Sequence, residues 1–269
     1  KIIILFKLGR KMAKSDILNI VTKFQEPPLA IKLLFKILSI SFFTKNKIDL
    51  NKNEGQRLSD SLESMGTTFI KLGQFLATRP DIIGENLSRQ LENLQDKLPP
   101  FPLVQAKEII KNDLGEDTYN SIVKLSEPVA AASIAQVHKA QINDRGTLKD
   151  VAIKILRPNI KKIFNDEIDA MMLFAFLIES FAKKTKRLKL VEVVFLLKEI
   201  TNLEMDLRFE AAAANEYAEN TKNDVGFRVP QIYWNFTSEN VMTLDWVDGI
   251  SIRETKELEN RNLDTKKIA

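Results

Sequence analysis

The fold of this chain is decided by residues 129–155, which read VAAASIAQVHKAQINDRGTLKDVAIKI. The stretch predicts three short strands, because β-branched runs alternate with turn residues. A turn of small residues, Ala130–Ser133, follows the first strand, and a turn at Asn143–Gly146 follows the second. Lys154 lies within the third strand. Three strands joined by two turns predict a β-hairpin unit that presents one lysine.

The composition limits the classes of function. The 269 residues are 44% hydrophobic and 28% charged, which is ordinary for a globular protein. The net charge of +4 is spread along the chain, with no basic stripe interleaved with aromatic residues, so we expect no nucleic-acid partner. There is no cysteine and one histidine, His138, which argues against disulfides and against metal sites in this chain.

The order of elements after the hairpin indicates a kinase-like lobe. We predict one helix from about Ile163 to Lys183 and a second, long helix from about Val191 to Asn220. Two further strands follow, Arg228–Thr237 and Val241–Val247. Five strands with a helix between the third and fourth are typical of the amino-terminal lobe of a kinase. The predicted fold class is therefore α+β, with a five-stranded antiparallel sheet.

The region before the sheet is predicted to be helical, because Leu58, Leu62, Met65 and Phe69 recur at helical spacing. Pro80 breaks this pattern. We divide the chain as follows: 1–53, a membrane-proximal helical segment and linker; 54–121, a helical extension; 122–250, the amino lobe; and 251–269, the start of a carboxy lobe.

Two apolar segments are candidate membrane contacts. Leu29–Phe43 is apolar on most sides, with Lys32 and Lys36 on one face, and fits either a helix in the membrane interface or a buried helix. Met171–Ile178 is the second candidate. No stretch reaches the roughly 18–20 apolar residues that a membrane span needs.

Lys154 is the residue that carries the chemistry, since Val151-Ala-Ile-Lys154 matches the lysine strand of kinases. A lysine there contacts the α- and β-phosphates of a nucleotide while a carboxylate fixes its amine. Three carboxylates on the following helix are candidates, Glu204, Asp206 and Glu210. On a regular helix Asp206 and Glu210 share a face, whereas Glu204 points elsewhere. The residues alone leave the choice open.

The loop before Lys154 is rich in alanine where kinases have glycine. Alanine keeps the N–H donors but adds Cβ atoms, so we expect nucleotide to bind in an altered phosphate pose. The Ser133 hydroxyl is placed to donate to a phosphate or to a metal-bound water. The predicted nucleotide contacts are Val129, Ala130, Ala131, Ala132, Ser133, Ile134, Ala135, Gln136, Val137 and Lys154.

A second motif, Lys71-Leu-Gly-Gln74, lies in the helical extension. Lys71 and Gln74 are three residues apart and project together from a helix. Gly73 costs helix stability, which suggests that another part of the backbone approaches closely there.

Taken in order, these motifs resemble the UbiB family of atypical kinases, the kinase-like ATPases of ubiquinone biosynthesis. The resemblance implies that the extension, with Lys71 and Gln74, folds over the site where a protein kinase receives its peptide. It also implies that Glu204 and Asp206 meet the extension, that Glu210 pairs with Lys154, and that Leu244–Val247 forms the hinge that contacts adenine.

The resemblance further implies ATP and Mg as cofactors, and a role in ubiquinone (coenzyme Q) synthesis. The expected partners are membrane lipid or prenylated quinone precursors, and ubiquinone-biosynthesis enzymes. The expected location is peripheral, on the cytoplasmic face of a bacterial inner membrane, or on a mitochondrial inner membrane. The alternatives are a protein kinase acting in trans and a non-catalytic nucleotide-binding scaffold.

The family's catalytic Asp, its Asn and its D-F-G metal ligand belong to a carboxy-terminal lobe. This sequence contains no H-x-D and no D-F-G. We therefore expect a chain that lacks that lobe, with the metal ligands outside it and without appreciable ATPase activity on its own.

Overall fold

A computed structural model describes residues 52–92, 94, 98–181, 189–252, 254–261 and 263. The candidate membrane segment Leu29–Phe43 lies outside these residues. Within them the chain forms an α-helical extension followed by a lobe that contains an antiparallel sheet and helices, so the predicted α+β class is confirmed. The helices are α1 (Glu54–Met65), α2 (Thr67–Ala77), α3 (Pro80–Ile83), α4 (Glu85–Leu91), α5 (Leu103–Leu114), α6 (Glu116–Asn120), α7 (Ile160–Phe181), α8 (Leu190–Glu204), α9 (Leu207–Asn220) and α10 (Thr255–Asn260). The strands are β1 (Ile122–Ala131), β2 (Ala135–Asp144), β3 (Thr147–Leu156) and β4 (Val241–Asp245).

Of the predicted extension, 54–121, the helices α1 to α4 pack against one another, whereas α5 and α6 pack on strands of the sheet. From here on, the extension means α1 to α4. Asn53 caps α1 in a capping box with Gln56, which satisfies two backbone N–H groups that the first turn leaves free. The break predicted at Pro80 is present. A second break, at Gly66 with φ 107°, separates α1 from α2 and was not predicted.

Gly73 lets α2 lie close to its neighbours. A Cβ atom at this position would lie 2.5 Å from Leu94 Cδ2 and 2.8 Å from Leu62 Cδ1. Both contacts are shorter than van der Waals distance, so only glycine fits without movement of the core. The atoms close to Gly73 thus belong to leucine side chains, and the expected approach of another backbone segment is not what the structure shows.

The sheet has four antiparallel strands in the order β1-β2-β3-β4, so the prediction of five strands is wrong for the described residues. The turn between β2 and β3 lies where it was predicted. Arg145 and Gly146 both have positive φ there, and Gly146 N–H donates to Asn143 Oδ1 at 2.8 Å. A two-residue turn with two positive φ values matches the twist of a hairpin.

The segment predicted as the fourth of five strands, 228–237, does not form a ladder. Its β-pairing with β4 is limited to one bridge, Ile232 to Leu244. Pro230 has no N–H to donate, and Trp234–Phe236 turns into one 3-10 helix, so the pairing ends after the bridge.

The long helix predicted over residues 191–220 is two helices. The chain leaves helical geometry at Asp206, with φ −126° and ψ 99°, and the Asp206 side chain caps α9. The Leu207 N–H donates to the Glu239 carbonyl at 2.9 Å, which fixes the start of α9 beside β4. The face that Asp206 and Glu210 were expected to share on one continuous helix therefore does not exist.

Two hydrophobic cores hold the molecule together. One lies between the sheet and α5, and includes Ile110, Ile142 and Ile153. The other joins the extension to the lobe, because Phe69 of α2 and Ile134 of the loop between β1 and β2 belong to the same buried cluster as Phe164 of α7. This shared core places the extension against the loop that precedes β2.

Candidate active site

Lys154 and Glu210 form an ion pair at the open side of the sheet. The Lys154 Nζ lies 2.8 Å from Glu210 Oε1 and 2.6 Å from Oε2. β3 positions the lysine, since Lys154 is paired with Val137 of β2 on one side and Met242 of β4 on the other. The glutamate comes from the first turn of α9. The central strand β3 and the first turn of α9 thus hold the amine of Lys154 next to the carboxylate of Glu210.

The alanine-rich loop does not need glycine in the geometry that it adopts. Residues 129–137 are all described, and none of them has a positive φ. The turn closes through a hydrogen bond from Ala132 N–H to the Ala135 carbonyl, 2.8 Å long. Alanine is therefore compatible with this loop, because the left-handed geometry that favours glycine is absent.

The predicted contacts around the loop divide into exposed and buried positions. Val129 and Ala130 are exposed, and Ala131, Ala132 and Val137 are partly so. Ser133, Ile134, Ala135 and Gln136 are buried. The Ser133 hydroxyl has no hydrogen-bond partner among the described residues, and its carbonyl accepts from Thr67 Oγ1 of α2 at 3.3 Å. The extension thus reaches the loop, a contact that the motifs did not indicate.

Gln136 was predicted to contact nucleotide, and its side chain does something else. The Gln136 amide accepts from Phe101 N–H at 2.9 Å and donates to the Phe101 carbonyl at 3.2 Å. It also lies 2.9 Å from His138 Nε2, while His138 Nδ1 lies 2.8 Å from the Ser126 carbonyl. These bonds engage the Gln136 side chain within the fold, and its contact with nucleotide stays a prediction.

The extension meets the lobe through Lys71 and Glu204. The Lys71 Nζ lies 2.5 Å from Glu204 Oε2, so Glu204 meets the extension in the structure. Gln74 is half-buried one turn further along α2, and its side chain makes no hydrogen bond within the described residues. Of the two motif side chains in the extension, Lys71 makes the polar contact.

Asp206 does not meet the extension as expected. Its carboxylate accepts from Arg208 N–H at 3.1 Å, and two guanidinium nitrogens of Arg208 lie 2.9 and 2.7 Å away. The hydrogen bonds from Arg208 lower the pKa of Asp206 below its ordinary value, although burial opposes them. Asp206 is therefore the N-cap of α9, and this local role follows from the break between the two helices.

In the predicted hinge, Leu244–Val247, two backbone N–H groups are hydrogen-bonded to other parts of the chain. The Asp245 N–H donates to the Gln231 carbonyl at 3.0 Å, and the Trp246 N–H donates to the Asp150 carbonyl at 3.1 Å. These two amides are unavailable to adenine, so contact with a base is left to the carbonyls and to the last residue of the segment.

The Asp245 side chain holds the hinge to the preceding segment. It accepts from the Tyr233 hydroxyl at 2.8 Å and lies 2.7 Å from Arg228. Burial and the hydrogen bond to Asp245 raise the pKa of Tyr233 to about 12. Burial alone would raise the pKa of Asp245, but its three hydrogen bonds outweigh burial and lower it. The hinge therefore carries an ionised, fully engaged carboxylate.

The ABC1 atypical kinase-like domain matches residues 93–269, about two thirds of the chain. The chain belongs to the ABC1 atypical kinase-like family. The "Probable protein kinase UbiB" of Marinobacter nauticus is 34% identical over 245 residues, which make up 91% of this chain and 44% of that protein. The protein of the same name from Pseudomonas paraeruginosa is 30% identical over 266 residues, covering 98% of this chain and 49% of that protein. The one from Cellvibrio japonicus is 32% identical over 243 residues, covering 90% and 42%. The chain thus spans about half the length of the curated relatives it matches.

A kinase-like family implies ATP and Mg in general, and the residues of this ABC1 chain fit the phosphate part of ATP. Lys154 is a partly exposed cation on a central strand, and Val129 and Ala130 of the nearby loop are exposed. Among the described residues there is no group of three or more histidine, aspartate or glutamate side chains that could hold a metal ion.

Proposed function

We propose that the protein containing this chain is a UbiB-like kinase or ATPase that binds ATP and supports ubiquinone biosynthesis. The proposed targets are membrane-bound prenylated intermediates or the biosynthetic enzymes that handle them. The observation that carries the proposal is the Lys154–Glu210 ion pair beside the loop in a chain of the ABC1 family. Membership of a kinase-like family gives this pair its interpretation.

In the proposed site each residue has a binding or orienting task. Lys154 Nζ contacts the phosphates, and Glu210 holds the amine over the sheet. The exposed part of the loop, Val129–Ala132, approaches the phosphates with its backbone. The segment after Asp245 receives the base. Bound Mg supplies charge neutralisation at the phosphates, as in other phosphoryl-transfer enzymes.

Nucleotide binding tests the first half of the proposal. The complete protein that contains this chain is titrated with ATP by calorimetry in the presence of Mg. We expect saturable binding that the Lys154→Met variant weakens at least about tenfold, which corresponds to about 1.4 kcal/mol. Lys149→Met is the matched control, because Lys149 is exposed on the same strand and lies five residues before Lys154. Equal ATP affinity of wild type and Lys154→Met would sink the proposed site.

A complementation assay tests the second half. A bacterium that lacks its own UbiB relative is supplied with the wild-type, Lys154→Met or Lys149→Met gene, and ubiquinone is measured by mass spectrometry. We expect wild type and Lys149→Met to restore ubiquinone and Lys154→Met to fail. Restoration by Lys154→Met would favour a scaffold, and phosphorylation of an added protein that depends on Lys154 would favour a protein kinase acting in trans.

We also propose that the protein lies peripherally on the cytoplasmic face of an inner membrane. The predicted contact Met171–Ile178 needs correction at its first residue, because Met171 is buried in the core. Leu173 and Phe176 are exposed on the same helix and support the proposal. None of the described helices is sufficiently long and apolar to cross a bilayer.

Vesicle co-sedimentation tests the membrane contact. We expect the protein to bind vesicles that contain phosphatidylglycerol. The Phe176→Ser variant should bind about tenfold more weakly, because burying a phenylalanine stabilises by about 1.5–3 kcal/mol. Val104→Ser, which removes an exposed apolar side chain from α5, is the control. Unchanged binding of Phe176→Ser would remove α7 from the proposed contact.

A further inference from the structure

Arg157 makes more hydrogen bonds to backbone carbonyls than the motifs around it indicate. Its Nε and one terminal nitrogen both donate to the Ala132 carbonyl, at 3.0 and 2.8 Å. The guanidinium also donates to the carbonyls of Pro99 at 2.9 Å and Leu98 at 3.3 Å. The Arg157 N–H donates to the Ile134 carbonyl at 2.8 Å. One residue thus binds both ends of the loop 132–134 and the linker that follows the extension.

The charge of Arg157 has no acidic partner within the described residues. Its contacts there are carbonyl oxygens and the ring of Phe101, whose centroid lies 6.0 Å from the guanidinium carbon. Burial lowers the pKa of Arg157, but a guanidinium stays protonated at any physiological pH. A cation therefore lies next to the loop, and among the described residues carbonyl dipoles, not a carboxylate, stabilise its charge.

Holding the Ala132 carbonyl also fixes the orientation of a peptide plane. A trans peptide is rigid, so a carbonyl held by two hydrogen bonds sets the direction of the whole Ala132–Ser133 peptide. The planar fork of arginine can hold one oxygen twice and still reach a second chain segment, whereas a lysine provides a single point of contact.

We propose that Arg157 is a positioning residue for the phosphate groups of the nucleotide. It holds the loop in its binding shape, and its charge favours an anion at the loop. The loop has no glycine. The hydrogen bonds from Arg157 set the orientation of its backbone, which would otherwise depend on the loop residues themselves. This inference rests on the proposed nucleotide site and adds the residue that shapes its phosphate side.

The test separates the phosphate contribution from general folding. Dissociation constants for adenosine, AMP, ADP and ATP are measured by calorimetry on the complete protein, for wild type, Arg157→Gln and Arg157→Lys. We expect Arg157→Gln to weaken ATP and ADP at least about tenfold and adenosine less than about twofold, where tenfold corresponds to about 1.4 kcal/mol. Arg157→Lys should lie between wild type and Arg157→Gln, because it keeps the charge and loses the fork. Arg89→Gln, which removes an exposed arginine from α4, should change none of the constants.

The outcomes are distinct. If both variants weaken ATP and adenosine by the same factor, or weaken neither, the ratio of the two affinities is unchanged. Arg157 then has no specific effect on the phosphates, and the inference fails while the proposed function stands. If wild type binds no nucleotide, the proposed function itself fails. Should Arg157→Gln not fold, the ratio measured on Arg157→Lys decides.

Discussion

Lys154 and Glu210 are 56 residues apart in the chain and are joined by two N–O contacts of 2.8 and 2.6 Å. Their side chains are 26% and 49% exposed, and an ion pair so accessible to solvent contributes less than about 1 kcal/mol to stability. The value of this contact lies in the direction in which it holds the amine. Stability and ligand binding should therefore respond differently when it is broken.

Glu210→Gln tests this separation. The change keeps the shape of the side chain and removes its charge, so we expect the free energy of unfolding to fall by less than about 1 kcal/mol. ATP affinity should fall by about 3- to 10-fold, because a loosely held amine contacts the phosphates less well. Glu216→Gln, an exposed site on the same helix, is the control. A large loss of stability with unchanged ATP affinity would contradict this assignment.

His138 is buried and neutral between two fixed partners, the Ser126 carbonyl and the Gln136 amide. Burial lowers its pKa below 6.5, although the Ser126 carbonyl and the charge of Glu127 oppose the shift. The unfolded chain then binds a proton at a higher pH than the folded chain does. Protonation therefore favours unfolding.

We accordingly expect stability to fall as pH decreases below about 6.5, by at most about 1.4 kcal/mol per pH unit from this group. Urea unfolding between pH 7.5 and 5 measures the slope. His138→Gln has no group that titrates there, so its slope should be flatter. Equal slopes for wild type and variant would show that His138 does not control stability in this range.

Among single residues, the sequence predicts those whose role is local. Lys154 could be identified because its neighbours in the strand carry the pattern. Gln136 could not, because its partner Phe101 lies 35 residues away and nothing near Gln136 indicates that contact. Arg157 could not be identified either, since its carbonyl partners come from two distant segments.

At the level of elements, the strands bounded by clear turns were placed well and the irregular ones were not. The hairpin of β2 and β3 follows from Asn143–Gly146. Residues 228–237 have strand composition but make one bridge, because Pro230 and the 3-10 turn end the pairing. Amino-acid composition predicts that a segment favours extended backbone, but it does not predict whether a neighbouring strand is available to pair with it.

α5 is fastened to the turn before β4 by Asp113. Its carboxylate accepts from Ser238 Oγ at 2.7 Å, from Asn240 N–H at 3.2 Å and from the Asn240 amide at 3.0 Å. Asp113→Ala leaves these donors unpaired, so we expect unfolding free energy to fall by about 1–3 kcal/mol. Asp117→Ala on α6, which is exposed, should cost less than about 1 kcal/mol. Equal losses in chemical unfolding would contradict the role of Asp113.

At the level of the whole molecule, the extension and the lobe share a core, and Lys71–Glu204 joins them at its edge. The resemblance implied that Glu204 meets the extension, whereas periodicity alone could not have indicated which helices meet. The lysine side chain is 15% exposed and the glutamate 38%, so this pair is less accessible to solvent than Lys111–Glu116, at 47% and 63%. We expect a double-mutant cycle with Lys71→Met and Glu204→Gln to give a coupling energy of about 1 kcal/mol.

The matching cycle at Lys111 and Glu116 provides the control, with an expected coupling below about 0.5 kcal/mol because the pair is solvated. Both cycles use the free energy of unfolding. A coupling at Lys71–Glu204 no larger than that of the control would mean that this ion pair does not help to hold the extension.

Because the chain is not helical between α8 and α9, the position of Glu204 at the end of α8 does not determine the position of Glu210 on α9. Along one continuous helix, a residue gained or lost within α8 would rotate everything after it by about 100° and carry Glu210 away from Lys154. Here α9 starts afresh, because Asp206 caps it and Glu239 anchors Leu207. Length changes in α8 can therefore alter how the extension docks while Glu210 keeps its place beside Lys154.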